Sequence, residues 1–238
     1  MSLVIVFASS KGGAGKTTAA TVLASELSRR APEGMTVSLI DADPNQHSAG
    51  WAKRGDRPAN LRLVENSNET TILDDIETES ETSGYVLVDL EGTASATVAS
   101  AIIRADFVIT LCQGSQDDAD EAAKTIRLIR NQSRLIKNTI PFAVLFTRTS
   151  NAIVPRTYRY IREQFAEAGI PMFDTQLTDR EAFRAMRSFG GSVHTLDPEQ
   201  VSGLEKAKRN VEELGSEMLR RLRDTTAPAN KQPEAAHD

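Results

Sequence analysis

Runs of consecutive apolar residues alternate with amphipathic stretches along this chain, and each run is short enough to be a strand. Residues 3–8, Leu-Val-Ile-Val-Phe-Ala, contain no polar position, the pattern of a strand covered on both faces. Behind it Ala19, Ala20, Val22, Leu23 and Leu27 recur at helical spacing, and the pattern ends in Arg29 and Arg30, as suits a helix C-terminus. Residues 36–41 predict a second buried strand ending in Asp41, and Pro44 is placed to start the helix after it. Further strands are expected over 61–65, 85–89, 107–112 and 142–147, with a short one over 170–173. Helices are expected over 71–79, 117–137 and 154–168, the last closed by Gly169, and from a Thr178/Glu181 capping box to Met186. A final helix over 199–223 gathers Leu204, Ala207, Val211, Leu214, Met218 and Leu222 on one face. Trp51, in a polar stretch, reads as a packing residue. Helices set between buried strands predict an α/β fold with a predominantly parallel β-sheet flanked by helices.

Composition narrows the class without naming a function. At 238 residues, with 39% hydrophobic and 26% charged residues, a single soluble domain over 1–224 is expected, followed by a disordered polar tail over 225–238. Cys112 is the single cysteine and lies in an apolar run, so an intrachain disulfide is excluded and a reducing compartment is expected. The first strand starts almost at once, leaving no room for a leader, and no apolar run approaches the roughly 20 residues of a membrane span. The expectation is a cytoplasmic protein without a membrane partner.

The net charge of −5 hides two blocks. Between Glu65 and Glu121 Arg104 is the one base among many acids, whereas from Ala122 to Arg162 there is no acid at all. Within the second block Lys124, Arg127, Arg130, Arg134 and Lys137 are spaced three or four apart and form one helical stripe. Such a stripe is either a solvated face or a non-specific DNA contact through Arg127, Arg130, Arg134 and Lys137.

The densest chemical signal joins the first strand to the first helix. Lys11, Gly12, Gly13, Ala14, Gly15, Lys16, Thr17 and Thr18 form a glycine-rich loop whose N–H groups can cradle phosphate at a helix N-terminus. Lys16 would reach the outer phosphates and Thr17 would ligate Mg²⁺. Ser10 occupies the place where the common pattern has its first glycine, and a second lysine, Lys11, opens the loop. Asp89, at the end of the strand over 85–89, brings one carboxylate to the same edge, where it can hold Mg²⁺ through water.

This compressed loop resembles that of the deviant Walker A ATPases of the ParA/MinD group. Asp41-Ala-Asp43-Pro44 is similar to the family's D-x-D-P segment, and residues 178–186 resemble the same part of VirC-type ATPases that assist DNA transfer. The resemblance implies a P-loop ATPase of the small ParA type using ATP and Mg²⁺. It implies that Asp41 supports the Mg²⁺ and phosphate shell and that Asp43 orients the attacking water, although Asp43 could equally cap a helix. Lys11 would cross to a partner's phosphates in an ATP-dependent homodimer, and Thr147, Arg148 and Arg180 would lie near the base. Glu91, in a turn without the family's proline, reads as a solvated loop acid.

The expected function is therefore an ATP-driven switch that binds DNA non-specifically to segregate or position it, with slow hydrolysis as the timer. A centromere-binding adaptor or cargo protein would stimulate that hydrolysis, and the protein would associate with the nucleoid. Two alternatives differ in class: a nucleotide-switched scaffold for a protein cargo or DNA-transfer complex, and an ATP-dependent small-molecule ligase or kinase. The last would need an acceptor pocket, and His47, His194 and His237 are scattered rather than clustered. A single cysteine per chain also excludes an iron–sulfur cluster held by four thiolates of a dimer.

Overall fold

The computed structural model describes residues 2–93, 95–150 and 155–226. Val154 and most of the expected tail lie outside those residues. The strands are β1 (Leu3–Ala8), β2 (Thr36–Ala42), β3 (Leu61–Val64), β4 (Ser83–Leu90), β5 (Phe107–Cys112), β6 (Phe142–Thr149) and β7 (Leu177–Thr178). The helices are α1 (Lys16–Arg30), α2 (His47–Arg54), α3 (Ile72–Thr82), α4 (Ala96–Ile103), α5 (Gln116–Ile136), α6 (Arg156–Glu167), α7 (Glu181–Phe189) and α8 (Leu204–Thr226).

The strands form one sheet in the order β3-β2-β4-β1-β5-β6-β7, and every pairing in it is parallel. Side chains alternate across it, so β1 sends Ile5 and Phe7 to one face and Val4, Val6 and Ala8 to the other. The first face packs against α1, α2, α7 and α8, with Trp51 fully buried there and donating its indole N–H to the Gly191 carbonyl at 2.9 Å. Helices α3, α4, α5 and α6 cover the other face. Cys112 sits in that second layer, where burial pushes its thiol up to about 12.

Four local expectations are corrected. Helix α4 went unpredicted; Ser95 caps it by accepting the Val98 N–H, and its apolar run has no polar face to show a helical period. Residues 170–173 make a single bridge, Val144 to Met172, and the edge strand is instead β7. Thr178 belongs to that strand and donates to Asn210 Oδ1 at 2.9 Å, so it does not cap α7, whose N-cap is Arg180. Helix α2 begins at His47 rather than at Pro44, because Gln46 takes a left-handed conformation at φ 50° and redirects the chain.

Candidate nucleotide site

Because all strands run in one direction, their carboxyl ends share an edge. The sheet splits there, with β4 on one side of β1 and β5 on the other, the place where open α/β sheets form a ligand crevice. A cleft of about 970 Å³ opens at that point, lined by the loops after β1, β2, β4 and β7, by Thr147 and Arg148 at the end of β6, and by one side of α7. Gly12, Gly13, Gly15, Lys16, Thr17, Thr18, Asp43, Thr147, Arg148 and Arg180 all line it. Lys11, Ala14, Asp41 and Asp89 do not.

The loop is shaped from outside as much as by its glycines. Gly15 is the N-cap of α1 at φ 94°, a backbone that favours glycine, so no side chain caps the first turn and its N–H groups face the cleft. Gly92 in the loop after β4 approaches so closely that a Cβ there would stand 2.8 Å from the Gly12 nitrogen. Thr147 donates to the Ala14 carbonyl at 2.7 Å and Gln113 Nε2 to the Gly13 carbonyl at 2.6 Å. Ser10 earns its place by hydroxyl donation to the Glu121 carbonyl at 2.8 Å, while its N–H donates to Thr125 Oγ1. Thr147 thus braces the loop from behind, with its hydroxyl already engaged.

Two buried carboxylates stand behind the loop, and they are engaged differently. Asp41 accepts the Asp43 N–H at 3.2 Å on one oxygen and the Ala49 N–H at 2.8 Å on the other. It therefore caps α2, which lacks an acid in its own first turn. Asp89 accepts the Ser48 hydroxyl at 2.7 Å on Oδ2, while its buried Oδ1 has no hydrogen-bond partner among the described residues. Burial pushes Asp89 up to about 7, with Ser48 opposing and Asp41 adding to the rise. An orphaned carboxylate oxygen beside Thr17 and Lys16 fits a cation that takes its other ligands from phosphate and water. Among the described residues no cluster of three His, Cys, Asp or Glu side chains would hold a metal by itself.

Lys16 is buried with no ion pair among the described residues, and burial pulls its ammonium below the ordinary lysine range. Asp43 accepts from the backbone N–H and side-chain amide of Asn45, at 2.8 and 2.9 Å, forming an Asx turn rather than a helix cap. Glu91 is a half-buried loop acid that lines the cleft. At the other end Arg148 is exposed with φ 52°, Phe183 is core, and Arg180 has a buried Nε without a hydrogen-bond partner among the described residues.

Lys11 projects outside the cleft and pairs with Asp118 at 2.7 Å, a bond that holds its ammonium above the usual range. Asp118 is also the reciprocal partner of Ser115 in the capping box of α5. On the outer face of α5 Lys124 pairs with Glu121, whereas the exposed Arg127, Arg130 and Arg134 form no ion pair among the described residues; Lys137 is the C-cap. The residues that sequence reasoning missed are Ser48, Gln113 and Asp118.

The VirC1 protein family model matches residues 1–222. Protein ParA of Rhizobium radiobacter is 35% identical over 219 residues, spanning 92% of this chain and 97% of that protein. Two solved structures share the fold. A plasmid partition protein of Borrelia burgdorferi B31 bound to AMPPNP has a TM-score of 0.66 at 17% identity, covering 93% of this chain and 100% of that one. The structure of pNOB8 ParA bound to nonspecific DNA has a TM-score of 0.60 at 16% identity, covering 94% and 99%.

Proposed function

This chain belongs to the VirC1 protein family and is a ParA-type ATPase, and from that premise we propose that it is a nucleotide-driven switch for partition or positioning of DNA. The observation that carries the reading is the buried Asp89, one of whose oxygens has no hydrogen-bond partner among the described residues, set against a phosphate loop whose lysine forms no ion pair among them. A group bearing several negative charges and a divalent cation supplies what both lack. The AMPPNP bound to the Borrelia protein of the same fold supports ATP as that group.

The loop N–H groups and Lys16 hold the phosphates, and Thr17 and Asp89 would hold Mg²⁺, which when bound neutralises phosphate charge. Asp41 fixes the start of α2 and the Asp43 loop, and Asp43 orients the attacking water. Thr147, Arg148 and Arg180 frame the base end. Lys11 leaves Asp118 and crosses to the phosphates of a second copy, so ATP drives a homodimer and hydrolysis releases it. An adaptor or cargo protein that speeds hydrolysis is the remaining partner.

Duplex DNA binds without sequence preference along the arginine stripe of α5, a reading supported by the nonspecific DNA on pNOB8 ParA. The test is ATP-dependent binding to random duplex DNA across a salt series, with Arg127→Glu, Arg130→Glu and Arg134→Glu combined. The triple variant should lose DNA binding and keep ATP-dependent dimerisation. Binding with wild-type affinity and the same salt slope would reduce the stripe to solvated surface.

A further inference from the structure

Helix α7 lines the cleft through Phe183, Arg184, Arg187 and Ser188. It starts beside Arg180 and β7 at the base end, and its last turn packs on α2 at the end where Asp41 and Asp89 stand. There Arg54 Nη1 donates to the Arg187 carbonyl at 2.6 Å, and Arg187 Nη1 donates to the His47 carbonyl at 3.3 Å. Nine helical residues at about 1.5 Å each make about 13 Å, so one short helix reaches both ends of the site.

The two arginines within this helix are in opposite electrostatic situations. Arg184 is exposed and neutralised by Asp179 at 2.5 Å and Glu181 at 2.9 Å. Arg187 is half-buried, lines the cleft with Asp43 and Asn45, and has no ion pair among the described residues. Burial lowers its pKa, Asp89 and Asp41 act in the opposite sense, and the neighbouring Arg54 adds to the lowering. Neither carboxylate bonds to it: Asp41 is engaged by two backbone N–H groups, and Asp89 by Ser48. Of the five guanidinium donors, the His47 carbonyl takes one.

Two cations that form no ion pair among the described residues, Lys16 and Arg187, therefore line one cleft. That arrangement is unfavourable while the cleft holds only water and becomes favourable when a polyanion lies between them. We propose that Arg187 contacts the terminal phosphate of a bound nucleoside triphosphate within the same chain and makes the site discriminate triphosphate from diphosphate. Its place on the Asp43 side, away from Thr147 and Arg180, assigns it to the outermost phosphate rather than to the base. Because α7 also touches α2, the contact couples the terminal phosphate to both helices. The proposal rests on the nucleotide-site reading above.

The experiment measures Mg²⁺-dependent binding of fluorescent ATP and ADP analogues to the full chain by titration. Arg187→Gln should weaken ATP binding by about tenfold to a hundredfold, the range of a charge-assisted hydrogen bond, and leave ADP binding within about twofold. Arg187→Lys keeps a cation without the planar fork and should lose part of the same preference, so it carries the test if the glutamine variant does not fold. An unchanged ATP-to-ADP affinity ratio in the folded variant, whether both affinities persist or both fall equally, would overturn the proposal and leave Arg187 as a staple between α7 and α2. Failure of the wild-type chain to bind either nucleotide would instead sink the site reading itself.

Discussion

The two ends of α1 handle buried charge in opposite ways. At the C-terminal end Glu26 is fully buried, yet Arg29 donates to both its oxygens at 2.9 Å, Arg30 donates at 2.5 Å, and His194 Nε2 stands 3.2 Å away. Helix α8 closes over it so tightly that a Cβ on Gly215 would stand 2.7 Å from Glu26 Cγ. At the N-terminal end Lys16 and Asp89 are also buried, but among the described residues the lysine has no ion pair and one carboxylate oxygen has no hydrogen bond. One helix thus carries a closed charge cluster and an open one. A closed cluster holds α1 to α8; an open one is complete only when something binds. The difference distinguishes the two ends where burial does not.

The largest effect should come from the open end. Replacing Lys16 with Ala removes the main point charge for the outer phosphates, and ATP affinity should fall by more than about a hundredfold. Fold stability should not fall with it, because the desolvation cost of burying the lysine outweighs the opposing pull of Asp89, Asp43 and Glu91, and it forms no ion pair among the described residues. Titration with a fluorescent ATP analogue, run beside thermal unfolding, checks both halves. A variant that bound ATP normally, or one that unfolded, would erase the contrast between the ends.

Glu26→Gln should do the reverse. Removing the carboxylate leaves Arg29 and Arg30 beside a neutral group, and unfolding in urea should show a loss of about 2 kcal/mol, below the full cost of a broken buried pair because both arginines are partly exposed. Nucleotide affinity should stay within about twofold of wild type. A loss of affinity without a loss of stability would show that the closed end serves the cleft.

Much of this contrast was legible in the chain. Parallel strands covered on both faces give unbroken apolar runs, so β1, β2, β4, β5 and β6 stand out, and Asp41 and Asp89 are conspicuous as the acids at the ends of two of them. The loop from Lys11 to Thr18 carries its chemistry in consecutive residues. What stayed hidden depends on contacts between distant segments. Ser48 looks like any helix serine until β4 brings Asp89 to it, and Asp118 looks like a capping acid until Lys11 is set against it. Arg184 and Arg187 are three residues apart on one helix and both line the cleft, yet Arg184 is paired with Asp179 and Glu181 while Arg187, packed against α2, forms no ion pair among the described residues. The two-residue β7 is too short to show alternation and was displaced in the reading by the more apolar segment just before it.

The smallest effect, and the one that sharpens the comparison most, is in the pH dependence of stability. Burial alone would raise the pKa of Glu26, but the bonds and charges of Arg29 and Arg30 outweigh it and hold the carboxylate below its ordinary value of 4.5. A carboxylate whose folded pKa is depressed contributes stability that is fully present above its unfolded pKa and is lost as pH falls through the folded one. The contribution of Glu26 should therefore be intact at neutral pH and fade only below 4.5. Asp89 has the opposite sign: its folded pKa is raised to about 7, so its charge costs stability increasingly as pH rises from its ordinary value of 3.8 to that point. Asp118 and Glu217, both lowered, also lose stability on acidification, so wild-type acid sensitivity has several sources. Urea midpoints measured for wild type and Glu26→Gln at pH values between about 3 and 7 isolate the one belonging to this cluster. The gap between the two proteins should be constant near neutrality and narrow on acidification below 4.5. A gap that stayed constant throughout would mean that Glu26 acts by shape rather than by charge, and the two ends of α1 would then differ only in packing.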